Sequence, residues 1–225
     1  MKLIISNHKN GLSDEKLNDY LLNINNLDTS NIKLIICPST KHLASFKNSN
    51  CIIGSQDIEN NNLEYLKNNR VEYTIVGHSY NRKKYNETNT EINIKVKELI
   101  KNNIMPILCI GEETMNQSNI YQILDEQLEE GLKDIKQKLI IAYEPVWAIS
   151  SGNIPSNDIL IDRINYIIKK VVKITGNTPL MIYGGSVNEK TILSLKEITE
   201  IDGYLIGVIS LEIDKLKRII EVVRW

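Results

Sequence analysis

Glu144 closes an apolar run, Lys138-Leu-Ile-Ile-Ala-Tyr143, that has the length of a β-strand. Pro145 follows and has no backbone N–H to donate, so sheet pairing stops there. Ala148-Ile-Ser-Ser-Gly152 is then mostly small residues, suited to a loop that moves and approaches a ligand closely. A carboxylate at a strand end under a small-residue flap suits abstraction of a proton inside a closable site. The plain alternative is a buried strand that ends in a solvated acid. The length of the pattern favours the functional reading.

Other reactive types stand at comparable points. Asn7 and Lys9, two apart after the first apolar run, can present an amide donor and an ammonium to one anion. Alone that pair is weak, because lysine is usually a solvated side chain. His78 lies in Val76-Gly-His-Ser-Tyr80, and Glu87-Thr88 follows. Cys109-Ile-Gly-Glu112 ends another run. Tyr183-Gly-Gly-Ser-Val187 and Asp202-Gly-Tyr-Leu-Ile-Gly207 carry glycines that let backbone N–H groups reach phosphate oxygens.

The elements that must position these groups are legible as short apolar runs alternating with helical patterns. Strands are expected at 2–6, 33–37, 51–55, 73–77, 106–110, 138–143, 180–183 and 203–207. Several lack polar alternation, as parallel strands covered on both faces do. Helices are expected near 13–25, 39–47, 62–69, 89–103, 119–136, 156–175, 188–198 and 211–223, with Ser13, Ser39 or Thr40, and Ser156 or Asn157 in N-cap regions. Leu160, Ile164, Ile167, Ile168 and Val171 form one helical stripe. Strict alternation predicts an α/β fold, a single eight-stranded parallel β/α barrel spanning residues 1–225, with an open doubly wound sheet as runner-up. In such a barrel, reactive groups collect at the C-terminal ends of several strands, and that is where these residues fall.

Composition agrees. A chain of 225 residues with 42% hydrophobic and 24% charged residues can bury a large core. Its net charge of −1 supplies no field to hold nucleic acid or an anionic membrane. No apolar run approaches membrane-span length. Met1 leads directly into a strand, so no secretory leader is expected there. Cys37, Cys51 and Cys109 lack metal-ligand spacing and read as reduced core residues of a cytoplasmic protein.

Taken together, these segments resemble the triosephosphate isomerases from first strand to last. The resemblance implies a TIM barrel and a dimeric, cofactor-free, metal-free glycolytic enzyme. Its small phosphorylated triose substrates would be dihydroxyacetone phosphate and glyceraldehyde 3-phosphate. It implies that Glu144 is the base, that His78 polarises the carbonyl, and that Lys9 and Asn7 stabilise the oxyanion. Ser150, Ser151, Gly152, Ser186, Gly207 and Val208 would form the phosphate cradle. Ile149 and Leu205 would clamp the base, and Tyr183 and Ser186 would latch the closed lid.

Four positions depart from the family pattern. Tyr80 replaces a glutamate of the polar network around the lysine and histidine, and Asn81 replaces the arginine that would pair with Glu87. Val208 replaces the second glycine of the last phosphate turn, and Ser150 replaces a lid glycine. The connection after the third strand is also short. Glu59 to Asn62 span at most ~13–14 Å, too little for the long arm that docks in the partner subunit. Self-association in the family's arm-exchanged form is therefore not expected, and a monomer is compatible with the sequence. Two functions fit: an active isomerase, slowed by these changes, or a catalytically weak paralogue that binds a phosphometabolite or serves as a scaffold. Retention of Asn7, Lys9, His78 and Glu144 favours the isomerase.

Overall fold

In a computed structural model, which describes residues 1–58, 62–115 and 118–224, the eight apolar runs become eight parallel strands. They are β1 (Lys2–Asn7), β2 (Ile32–Cys37), β3 (Ile52–Ser55), β4 (Val71–Val76), β5 (Met105–Ile110), β6 (Ile140–Tyr143), β7 (Leu180–Tyr183) and β8 (Gly203–Ile206). They pair in sequence order, and β1 closes the barrel on β8 with Leu3 opposite Gly203 and Ser6 opposite Ile206. The expected barrel is what the chain forms, and the open sheet is excluded.

Alternation is present although the sequence hides it. Leu3 and Ile5 face the barrel interior with Ile35, Ile75, Ile107, Ile140, Ile182 and Leu205. Ile4, between them, faces outward with Leu34, Ile36, Leu108, Ile141 and Ile206 against the helices. Both faces are buried, so both select apolar residues and the runs read as continuous.

The surrounding helices are α1 (Asp14–Asn25), α2 (Leu43–Phe46), α3 (Leu63–Asn68), α4 (Ser79–Tyr85), α5 (Asn89–Lys101), α6 (Ile120–Gly131), α7 (Asn157–Thr175), α8 (Ile192–Leu195) and α9 (Ile213–Val223). The stripe on α7 buries Leu160, Ile164, Ile167 and Val171, with Ile168 at its edge. Ser156 caps α7 by accepting the Ile159 N–H, whereas Ser13 stands at the N-cap of α1 without a side-chain bond. The expected helix at 119–136 ends at Gly131, and that at 188–198 contracts to one turn, α8. Helix α4 was not expected, because its seven residues carry no buried side chain and so no apolar period. Cys37 and Cys109 are buried, Cys51 is half-buried, and all three are free thiols.

Helix α5 opens with a complete capping box. Thr88 Oγ1 accepts the Glu91 N–H at 3.2 Å, and Glu91 Oε2 accepts the Thr88 N–H at 2.7 Å. Thr88→Ala removes the acceptor and should lower stability by about 1 kcal/mol. Urea unfolding should show a lower midpoint at unchanged slope; an unshifted midpoint would show that the cap contributes nothing.

Candidate active site

Glu144 lies immediately beyond β6, and its backbone continues the ladder through a 2.8 Å bond from its N–H to the Ile110 carbonyl. The residue is 3% exposed, and Oε2 has no hydrogen-bond partner. Oε1 lies 3.6 Å from His78 Nε2, too far for a hydrogen bond, so neither group is committed to the other. A desolvated carboxylate with a free oxygen is a reactive acceptor. Its clearance comes from Gly184: a Cβ there would sit 2.7 Å from Glu144 Cγ and 3.0 Å from Oε1. Cys109 flanks it from β5. Burial and the Glu144 carboxylate hold that thiol well above its usual pKa, so it stays protonated.

His78 caps α4. Its Nδ1 accepts the Tyr80 N–H at 3.2 Å, which leaves the ring proton on Nε2, the atom facing Glu144. The imidazole is thus presented to the cavity as a neutral donor.

Asn7 ends β1, and Lys9 stands two residues on with φ 50°, in the left-handed region. The Lys9 N–H bonds Asn7 Oδ1 at 3.1 Å, which engages the oxygen and leaves the Asn7 amide nitrogen as the donor. Gln56, one residue past β3, donates to the Lys9 carbonyl at 2.8 Å and to the Cys37 carbonyl at 3.1 Å. The Lys9 ammonium makes no ion pair with any described residue. It lies 3.9 Å from where a Cβ on Gly207 would stand, against the turn after β8.

These groups border a cavity of about 300 Å³ whose walls include Asn7, Lys9, His78, Glu144, Ser186 and Gly207. Ile149, Ser150, Gly152, Leu205 and Val208 also line it. The lid is tied down through Ser186, whose Oγ accepts the Gly152 N–H at 2.9 Å and donates to the Ala148 carbonyl at 2.6 Å. Ser150 takes φ 56°, a conformation that explains why glycine suits that position. A β-branched residue does not readily take the positive φ open to glycine, and Val208 does not need to. It begins a 3-10 turn, Val208–Leu211, without positive φ, and its Cγ1 is directed at Gly11.

Two expected residues are placed differently. Ser151 does not line the cavity; its hydroxyl donates back to the Ala148 carbonyl at 3.0 Å. The Tyr183 hydroxyl, assigned to the lid latch, bonds no lid residue in this structure. It is buried without a partner and lies over Gly185, so steric contact there positions the ring.

The departures resolve by local substitution. Tyr80 does not join the network around Lys9. Its side chain is half exposed, accepts a 2.7 Å bond from Lys84 one turn along α4, and packs edge-on against Tyr85. Only its backbone serves His78. Glu87 takes Lys95 in place of the missing arginine, and Lys95 also bonds Asp57 at 2.7 Å. Asn81 Nδ2 reaches the same Asp57 carboxylate at 2.9 Å. The short connection itself falls largely on residues 59–61, outside the described residues; α3 is capped by Asn62 just beyond them.

Sequence reasoning named Glu112 and gave it no role. It is buried, accepting from Tyr143 Oη at 3.0 Å, Trp147 Nε1 at 3.1 Å and Arg163 Nη1 at 2.9 Å. Its carbonyl accepts the Val146 N–H at 2.8 Å. Glu112 therefore anchors the root of the lid, and burial together with this carboxylate pushes the Tyr143 phenol pKa far up. An acid directly after Gly111 at a strand end was the available signal. Its partners, 31 to 51 residues away, were not. Among the described residues no group of three or more His, Cys, Asp or Glu side chains is arranged to hold a metal ion.

Reactive groups at the C-terminal mouth of a closed eight-stranded barrel place the chain among β/α-barrel enzymes. The sequence profile of triosephosphate isomerase matches residues 2–223. The triosephosphate isomerase of Mycoplasmopsis pulmonis is 30% identical over 97% of this chain and 96% of its own length. That of Wolbachia pipientis wMel is 32% identical over 98% and 93%. That of Mesomycoplasma hyorhinis is 35% identical over 67% of this chain and 61% of its own length. The chain belongs to the triosephosphate isomerase family. By that membership it is an intramolecular aldose–ketose isomerase.

Gly184→Ala should push the Glu144 carboxylate aside. A displacement of about 1 Å costs roughly 10²-fold in rate. Steady-state kinetics should show the loss in kcat at near-constant KM. Undiminished kcat would mean that Glu144 has slack which the structure does not show.

Proposed function

We propose that this chain is one barrel domain that interconverts dihydroxyacetone phosphate and D-glyceraldehyde 3-phosphate through an enediolate. Glu144 Oε2, buried and unpartnered, is the observation that carries the reading. It takes the carbon-bound proton and returns it to the neighbouring carbon. His78 Nε2–H, the Lys9 ammonium and the Asn7 amide donate to the oxygens on which charge develops. Backbone hydrogen bonds already orient Asn7 and His78, so little reorganisation of these donors is needed as the charge moves.

The phosphate occupies the far side of the cavity. Ser150, Gly152, Ser186, Gly207 and Val208 line the cavity, and we assign the phosphate to the backbone N–H groups of the Gly207–Val208 turn and of the lid. The Ser186 bonds to Ala148 and Gly152 couple phosphate binding to lid closure, which keeps water from the enediolate. Ile149 and Leu205 supply apolar surface beside the base. Retention of all four reacting side chains in one cavity favours this enzyme over a binder or scaffold. No helix among the described residues is long and apolar enough to cross a membrane, and we assign the enzyme to the cytoplasm from its reduced cysteines.

The arm-exchanged dimer is not part of this reading. A cleft of about 960 Å³ adjoins Lys9 and His78 and is bounded by Asp57, Tyr80, Tyr85 and Lys95. The segment from Asp57 to the Asn62 cap is too short to fill the same cleft of a second copy while returning to its own barrel. The Lys95 bridge between Asp57 and Glu87 stiffens the cleft from within instead.

Glu144→Gln keeps the shape and removes the base, so kcat should fall at least ~10²-fold in a stopped or coupled assay on either triose phosphate. Unchanged turnover would rule the mechanism out. A folded parent with no activity would favour the phosphometabolite binder.

Light scattering over a concentration series should give a monomer, or an oligomer whose contacts avoid residues 57–62. A stable dimer with this segment cross-linked beside the partner's Lys9 would overturn the exclusion of the arm-exchanged dimer.

A further inference from the structure

His8 sits between Asn7 and Lys9 and points the other way. Asn7 and Lys9 border the cavity, whereas the His8 ring is fully buried against the edges of Tyr20 and Phe46 in the helix layer. Its Nε2 lies 3.0 Å from Tyr20 Oη. Tyr20 Oη donates to the Ser210 carbonyl at 3.2 Å, so it accepts from His8, and the His8 proton is on Nε2. Ser210 Oγ accepts from Ser6 Oγ at 2.6 Å and donates to the Gly207 carbonyl at 2.7 Å. Two buried legs of a hydrogen-bond chain thus converge on Ser210: His8 and Tyr20 hold its carbonyl, Ser6 holds its hydroxyl, and that hydroxyl holds the Gly207 carbonyl.

The chain joins the two segments that hold opposite ends of the substrate. One end carries Lys9, held in a left-handed conformation directly after His8. The other is the Gly207–Val208 turn. Burial, with nearby His42 as a lesser cause, pushes the His8 pKa down to about 3, so the imidazole is neutral and does not repel the Lys9 ammonium next to it. A neutral hydrogen-bonded relay in a dry interior keeps its length better than exposed side chains would.

Resting on the site reading above, we propose that His8 and Tyr20 are positioning residues: through Ser210 they fix the Lys9 ammonium relative to the Gly207–Val208 turn, and so set the separation at which the two ends of a phosphorylated substrate are gripped. Misplacing those ends by a fraction of an ångström penalises ligands that span them and spares ligands that use one end only.

The test compares two anions on the full-length protein. Inorganic phosphate uses the phosphate end of the cavity alone. 2-Phosphoglycolate has a phosphate at one end and a carboxylate shaped like the enediolate at the other. Tyr20→Phe deletes one oxygen and keeps the ring. It should weaken 2-phosphoglycolate binding at least tenfold, lower kcat/KM comparably, and leave inorganic phosphate within twofold. His8→Leu should do the same, and His8→Gln, which keeps an N–H donor, should recover most of the loss. A purely structural role would lower the melting temperature without separating the two anions. Equal weakening of both anions, or no weakening of either, overturns the proposal, and Tyr20→Phe decides if His8→Leu fails to fold. A parent that binds 2-phosphoglycolate tightly yet does not turn over substrate would overturn the catalytic reading alone, while the binding ratio still decides on the relay.

Discussion

Closure of β1 on β8 is the constraint from which the site follows. The two strands are about 200 residues apart in the chain, yet Ser6 stands opposite Ile206 in the ladder. That register sets Asn7, the last residue of β1, and Lys9, two residues on, beside Gly207, one step past the end of β8. Neither segment could hold both a phosphate and an oxyanion alone. The barrel interior must be filled to keep that register, and Leu3, Ile5, Leu205 and Ile182 fill it. Core packing and site geometry are therefore one problem. A void under Leu205 would loosen the β1–β8 pairing as well as the surface beside the base.

A second constraint is the dryness of Glu144. Its free Oε2 has no structural compensation, and burying an unpaired carboxylate oxygen costs free energy. The surroundings limit that cost without satisfying the oxygen. Gly184 gives room, Cys109 stays protonated beside it, and His78 turns an N–H its way without closing a bond. The lid root is held by a separate buried acid, Glu112, whose three side-chain partners are all donors. Two carboxylates just past the ends of adjacent strands thus have opposite roles. Glu112 is saturated with donors and structural. Glu144 is left unsaturated and available.

How much of this could be read from the sequence depended on whether the signal was local. The strand ends were legible, because apolar runs stop where reactive residues begin, as in Tyr143-Glu144 and Val76-Gly77-His78. The barrel was legible because alternation of strand and helix needs no knowledge of partners. Helix α4 was not, because an exposed helix with no buried face has no hydrophobic period to detect. Lys95 was not, because it is one lysine among many until folding places it between Asp57 and Glu87. Tyr183 shows the opposite case. A residue type at the expected position suggested a hydrogen-bonded latch, and the structure leaves its hydroxyl without a partner.

The departures from the family pattern share one physical logic. Each lost feature is replaced only where its loss would leave a buried charge or forbid a backbone conformation. Glu87 is buried and must have a cation, so Lys95 reaches it from α5. Val208 cannot readily take positive φ, so the turn enters a 3-10 conformation and the side chain leaves toward Gly11. Tyr80 needed no replacement for its acid, because an aromatic ring that can reach solvent and Lys84 creates no unsatisfied group. Lys9 consequently keeps its ammonium free of ion pairs among the described residues. A cation without a resident carboxylate costs little at a water-filled cavity and is strongly attracted to an arriving anion. Loss of that acid is therefore compatible with a working oxyanion site, provided the backbone beneath Lys9 is held by something else. Gln56 on its carbonyl and His8 behind it provide that hold.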